Sequence, residues 1–354
     1  DLYLLKLKNN MSPKGQLTRK SYLENKIIFV DGFVGGGKTL FCQLVSSLDK
    51  VEMWVHRPLV EQVSGLYAHK NIDLNTAVSL LNCCFDNEIY CQALLRDQNF
   101  RHFDHSSVFK FPKKSEYLKR VLNSNDLELF EKFINEKRVL HFMSHGITSH
   151  IEPIHKALGS RLIFCRLMRC PSSMYMLNHL ARWSKRWGNE SRNGMMCNDI
   201  NGEMVPHFIL ERIDEYANAN EYERAIIMLE EWIEEGNKAV ENKKYQIIEV
   251  PFEMLVFNPK KYIQKVSSRL DVELSDNVLR EMRRQKVPRK SLDDAPKSSI
   301  FQAYGWRQPE KHISAKDQIK DELNEMRGYL KSNMMKRVER LVENYVSRYL
   351  DFKL

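Results

Sequence analysis

The stretch that most constrains this chain is Gly32-Phe-Val-Gly-Gly-Gly-Lys38-Thr39, set between the apolar run "KIIFVD" (26–31) and the apolar run "LFCQLVSSL" (40–48). Its spacing is G-x-x-x-x-G-K-[ST], with a β-branched strand before it and a helix after it. Glycines reach backbone angles that other residues avoid, so successive N–H groups can converge on one anion. The positive end of the following helix points at the same place. Lys38 adds a mobile cation and Thr39 a hydroxyl. Gly32, Gly35, Gly36, Gly37, Lys38 and Thr39 are therefore expected to hold a nucleotide phosphate. A loop of this kind demands a buried parallel strand and a packed helix, which restricts the fold to the α/β class.

The remaining sequence supplies the other layers. "RVLHFMSH" (138–145), "SRLIFCRLMR" (160–169) and "YQIIEV" (245–250) read as further buried strands, and "VEMWV" (51–55) as another. Helical periodicity runs through most of 57–136, through "PSSMYMLNHLARWSKRW", through "YERAIIMLEEWIEEGNKAVENK" and through "NPKKYIQKVSSRLDV", where Asn258 and Pro259 suit the N-cap and first helical position. The expected architecture is a P-loop NTPase-like parallel sheet with helices on both faces, a helical insertion and a helical C-terminus. Residues 1–24 form a basic lead-in and 25–310 the α/β domain, with 57–136 as a helical insertion or cap. Residues 311–354 form amphipathic helices that either pack on the domain or offer an oligomer contact.

The 354 residues carry a net charge of +9, which favours anionic partners. No aromatic-basic interleaving marks a nucleic-acid surface, and no apolar run is long enough for a membrane span. The lead-in lacks the apolar core of a secretory signal. Seven cysteines, an odd number without a CxxC pair, give neither a disulfide framework nor metal-ligand spacing. Reduced cysteines and a cytoplasmic location are expected, with no metal site.

Which phosphate the loop serves depends on its neighbours. Metal-assisted phosphoryl transfer needs a carboxylate at a strand end to hold Mg²⁺. Here the strands end in Ser144-His145, in Arg169 and in His56-Arg57, and the strand-end acids are Asp31, Glu249 and Glu253. Three readings stay open on these residues. One is transfer of a group by a reaction that needs positive and neutral donors. Another is an ATP- and Mg²⁺-dependent small-molecule kinase, with Asp31 as base and Arg166, Arg169, Arg182 and Arg186 as a lid-like cluster. The third is a non-catalytic nucleotide-binding module. Trp183 and Trp187, four residues apart on one helix, either line an acceptor site or fill core.

The order of four stretches resembles the P-loop sulfotransferases. These are the loop at 26–41, "HFMSHGI", "LIFCRLMRCPSSMYMLNHLARW", and "YQIIEVPFEMLVFNPKKYIQKVSSRLDVELSD", with "YGWRQ" (304–308) after them. The resemblance implies a sulfuryl donor, 3′-phosphoadenosine 5′-phosphosulfate (PAPS), and a hydroxyl or amine acceptor on a carbohydrate or small metabolite. It implies His145 as general base, Lys38 as the cation on the leaving side, Arg169 on the donor's 3′-phosphate, Phe252 against adenine, and Arg289 with Lys290 as a second basic contact. The chain departs from the pattern at several positions. Gly35 stands where the family commonly has its lysine, and Lys38-Thr39 where it has Thr-Thr. Leu177, with Asn178 beside it, stands at the serine that grips the 3′-phosphate. Phe252-Glu253-Met254 replaces Tyr-Glu-Asp.

Overall fold

The computed structural model describes residues 18–104, 106–191, 194–292 and 314–352. Its centre is a four-stranded parallel sheet in the order β2-β1-β3-β6. The strands are β1 (Ile27–Asp31), β2 (Leu140–Ser144), β3 (Leu162–Met168) and β6 (Ile248–Pro251). Asp31 at the end of β1 lies level with Ser144 on one neighbour and Arg166 on the other. All the strands point the same way, so the loops after them gather along one edge, where open α/β sheets bind ligands. A two-stranded antiparallel ribbon, β4 (Cys197–Ile200) and β5 (Glu203–Pro206), stands outside this sheet and was not expected.

The helices are α1 (Lys38–Ser46), α2 (Pro58–Ala68), α3 (Leu74–Ala93), α4 (Lys114–Val121), α5 (Asp126–Asn135), α6 (Glu152–Leu158) and α7 (Met174–Ser184). After them come α8 (Ile213–Ala217), α9 (Glu221–Glu241), α10 (Phe252–Phe257), α11 (Pro259–Leu270), α12 (Asp276–Arg284), α13 (Ala315–Met326) and α14 (Ser332–Tyr349). Alternate residues of a strand face opposite sides, and β1 divides accordingly. Ile27 and Phe29 pack with Phe142, Phe164 and the inner faces of α2, α3, α5 and α6. Ile28 and Val30 pack with Phe41 and Leu44 of α1 and with Leu255, Ile263 and Val278 of α10 to α12. Much of the helical block 57–136 thus lies directly on one face of the sheet.

A second apolar body forms around α9, whose Ile226, Met228 and Trp232 meet Leu177 and Leu180 of α7 and Val338 and Val342 of α14. An Asn220–Glu223 capping box starts α9. The C-terminal helices therefore bury their apolar stripe within this chain. Hydrogen bonds from Tyr345 Oη to Glu253 (2.5 Å) and from Arg348 to Glu249 (2.9 Å) tie α14 to the end of β6.

The run 51–55 is not a full strand. It makes only isolated bridges, from Val51 to Val139 just before β2 and from Val55 to Phe142 within it. Between them the backbone N–H of Met53 donates to Tyr117 Oη (2.8 Å), and the buried Glu52 carboxylate takes Tyr117, Arg120 and Arg138. Side chains from α4 and from the approach to β2 thus occupy the middle of the would-be ladder. Of the helix boundaries, Asn258 and Pro259 open α11 as expected, and Ser173 caps α7, so that helix starts at Met174 rather than at the beginning of the periodic run.

Candidate functional site

The site forms where the loop after β1, the end of β2 and α7 meet. Gly37 caps α1 at φ 96°, a left-handed conformation that favours glycine, and a Cβ there would run into the Phe252 ring. A Cβ on Gly35 would stand 2.8 Å from the Met176 backbone of α7. The loop is therefore pressed between α7 and α10, and its glycines are required by close approach as well as by dihedral. Lys38 is almost fully buried beneath the loop, and its Nζ donates to the carbonyls of Gly32 (2.5 Å) and Phe33 (2.8 Å). Burial lowers its pKa to about 8, although Asp31, Glu61 and Cys42 act in the opposite direction. Thr39, next to it, is exposed.

Arg169, just past β3, reaches the same loop. Its Nη1 donates to Gly35 O (3.0 Å), and its guanidinium lies over Phe252 (4.5 Å) and Tyr175 (5.2 Å). Gly35, Gly37, Lys38, Arg169 and Phe252 are thus brought together, with Gly32 and Gly36 in the same turn. Asn178 and Arg289 are held elsewhere. Asn178 accepts a hydrogen bond from Tyr222 of α9 (3.1 Å). The backbone N–H of Arg289 donates to Val256 O (2.8 Å), and its guanidinium to Leu292 O (3.1 Å). Besides Met176, the α7 residue facing Gly35 is His179, whose ring would be 3.4 Å from a Cβ there. "YGWRQ" lies outside the described residues.

Asp31 is committed to structure. Ser144 Oγ and the Ile147 N–H donate to its Oδ1, and the N–H and hydroxyl of Thr148 to its Oδ2, at 2.5 to 3.1 Å. Four donors use the acceptor capacity of a carboxylate. Nor do the arginines of the kinase reading form one cluster. Arg166 is buried against α9, bonded to Asn237 (2.8 Å) and Ile233 O (3.1 Å), while Arg186 pairs with Glu190 (2.6 Å). Glu253 accepts from the Cys170 N–H (3.1 Å) and from Tyr345, and Glu249 from Arg348 and Tyr349.

His145 follows β2 and stands across the cleft from the loop. Its backbone N–H (2.8 Å) and its Nδ1 (3.2 Å) both meet Glu61 Oε1, and His56 Nε2 meets the same oxygen (3.1 Å). Burial raises the Glu61 pKa, but the two histidines outweigh it and hold the carboxyl at about 2. Burial and the charge of Lys38 lower the His145 pKa, with Glu61 opposing them, which favours the neutral ring. A carboxylate only accepts. Both facing ring nitrogens therefore carry protons, and Nε2 of His145 keeps its lone pair.

These groups edge a cleft of about 560 Å³, open mouth included, whose apolar lining includes Phe33, Leu180, Trp183, Trp187, Phe208 and Met228. Trp183 and Trp187 stack with centroids 6.3 Å apart, and both face this cleft. Sequence reasoning missed Glu61 and His56. They come from the first turn of α2 and from the segment before it, and only the spatial meeting with His145 marks them.

No protein-family profile matches the sequence, and the search of curated proteins finds no match. Among solved structures, the chain is similar to the sulfotransferase domain of the Synechococcus olefin synthase, at 13% identity over 94% of this chain and 98% of that one, with a TM-score of 0.41. It is also similar to the sulfotransferase domain from the curacin biosynthetic pathway (12% identity, 96% and 100% coverage, TM-score 0.42). A sulfotransferase from Mycobacterium avium matches at 9% identity, with 100% and 82% coverage and a TM-score of 0.38.

Proposed function

We propose that this chain transfers a sulfuryl group from PAPS to a hydroxyl or amine of a small metabolite with an apolar body. The observation that carries the reading is the cleft itself. Phe33 and Val34 of the glycine-rich loop line one side and a Glu61-held His145 another, with stacked tryptophans in the wall. Lys38 and Arg169 are bonded to carbonyls of that same loop.

The residues present suit the donor. The loop N–H groups and Lys38 would hold its 5′-phosphate end, and Arg169 has the planar fork suited to a second phosphate. The donor supplies an activated sulfuryl group on a phosphate oxygen. His145 Nε2 takes the acceptor's proton as the new bond to sulfur forms, and Glu61 stabilises the imidazolium that results. Lys38 leaves its two loop carbonyls and neutralises charge on the departing oxygen. A carbohydrate acceptor would need many hydrogen-bonding groups, and the cleft walls offer mainly apolar ones.

The test is sulfuryl transfer from labelled PAPS to a panel of alcohols, phenols and amines. His145→Ala and Lys38→Ala should each lower the rate about 100-fold or more. Equal transfer by His145→Ala and the parent chain would remove His145 from the mechanism. Phosphoryl transfer from ATP in its place would make the protein a kinase.

A further inference from the structure

We infer that His56, Glu61 and His145 form a binding site for a first-row transition-metal dication, and that filling it switches off the proposed transfer. One ligand atom from each of His56, Glu61 and His145 lies within 4.8 Å of the other two. The carboxylate oxygen is 3.1 Å from one nitrogen and 3.2 Å from the other. Ligand atoms about 2.0–2.2 Å from one shared Zn²⁺ stand at roughly such separations from each other. Two imidazoles and one carboxylate suit Zn²⁺, Co²⁺ or Fe²⁺, whereas Mg²⁺ prefers oxygen ligands alone.

The three ligands come from separate elements and are already fixed. Glu61 Oε1 is held by the backbone N–H of His145 (2.8 Å), and the two rings sit edge to face with centroids 4.7 Å apart. All three residues line the cleft, so further coordination positions face it. Two nearby positive charges are directed elsewhere: Lys38 to the Gly32 and Phe33 carbonyls and Arg57 to Glu88.

The consequence follows from proton accounting, and this part rests on the proposed function. With Glu61 alone between them, His56 Nε2 and His145 Nδ1 each carry a hydrogen. A dication needs the lone pairs of those two nitrogens. Each ring then carries its hydrogen on the other nitrogen, with no net gain or loss of protons. His145 Nε2 thereby changes from proton acceptor to N–H donor, and the base is lost.

The experiment is titration of the purified full chain with Co²⁺, read by visible d–d absorption and by calorimetry. One ion per chain is expected, with affinity weakened at least about 100-fold in Glu61→Gln and in His56→Ala. Lys38→Ala should bind as tightly or more tightly. Far-UV circular dichroism checks the fold of each variant, and His56→Gln serves if the alanine variant does not fold. Unchanged Co²⁺ affinity in Glu61→Gln and the His56 variant overturns the site, whether or not the chain transfers sulfuryl groups. Loss of transfer at one equivalent of Co²⁺, restored by a chelator, is expected. Full transfer with the site demonstrably filled overturns the switch.

Discussion

Thr148 binds Asp31 twice, its N–H (2.9 Å) and its hydroxyl (2.5 Å) both donating to one buried carboxylate oxygen. Through this pair the end of β1 holds the turn that carries His145. Asp31→Ala would strand four buried donors at once. The expected loss is about 3 kcal/mol or more, measured as a lowered urea midpoint. An unchanged midpoint would mean that Asp31 does not organise the turn and is available for other work.

The same residue marks what the sequence could and could not disclose. The loop, its strand and its helix were legible because glycine spacing and apolar periodicity are local signals. The sheet and its two helical covers follow from them. That Asp31 is spent on Thr148 was not legible, because a strand-end carboxylate reads alike whether it holds a metal, a proton or a turn. Glu61 and His56 were hidden for the same reason: their meaning comes from a partner 84 residues away from Glu61. The strand expected at 51–55 failed because a buried Glu52 draws side chains into the ladder, and hydrophobicity does not report that.

Glu52 offers a second stability test. It is fully buried and meets Arg120 (3.0 Å), Arg138 and Tyr117. Removing one partner of a buried ionic network costs about 3–5 kcal/mol. Glu52→Ala should lose stability on that scale in chemical denaturation, and Glu52→Gln less. A change within about 0.5 kcal/mol, typical of exposed sites, would contradict the network.

Lys38 predicts a pH dependence of anion binding. Its pKa is lowered to about 8, first by burial. A bound anion favours the charged amine, so binding takes up a proton once the pH exceeds that value. Affinity for a nucleotide bisphosphate should therefore fall above about pH 8, by up to about tenfold per pH unit, whereas an ordinary lysine keeps its charge to about 10.4. Titrations at pH 7, 8 and 9 test this. Lys38→Met should bind more weakly with the slope removed; the same slope in that variant would assign it to another group.

Buried histidines predict sensitivity to acid. Burial lowers the pKa of His141 and His207 to about 3 and of His150 and His179 to about 4, with neighbouring cationic groups adding to the shift. The unfolded chain takes up these protons first, below about pH 6.5. Stability is thus fully present above that pH and declines as the pH falls toward the folded values. The slope is at most about 1.4 kcal/mol per pH unit for each group. His141→Gln, which keeps a partner for Ser46, should make the acid limb shallower by one such slope. An identical limb in denaturation series between pH 7 and 4 would contradict the assignment.

The central claim is that the cradle holds a sulfuryl donor and works without a metal. Calorimetric titration with 3′-phosphoadenosine 5′-phosphate and with ATP, each with and without Mg²⁺, tests it most directly. Tight bisphosphate binding that is indifferent to Mg²⁺ and is lost in Arg169→Ala is expected. Mg²⁺-dependent ATP binding with no preference for the bisphosphate would contradict it.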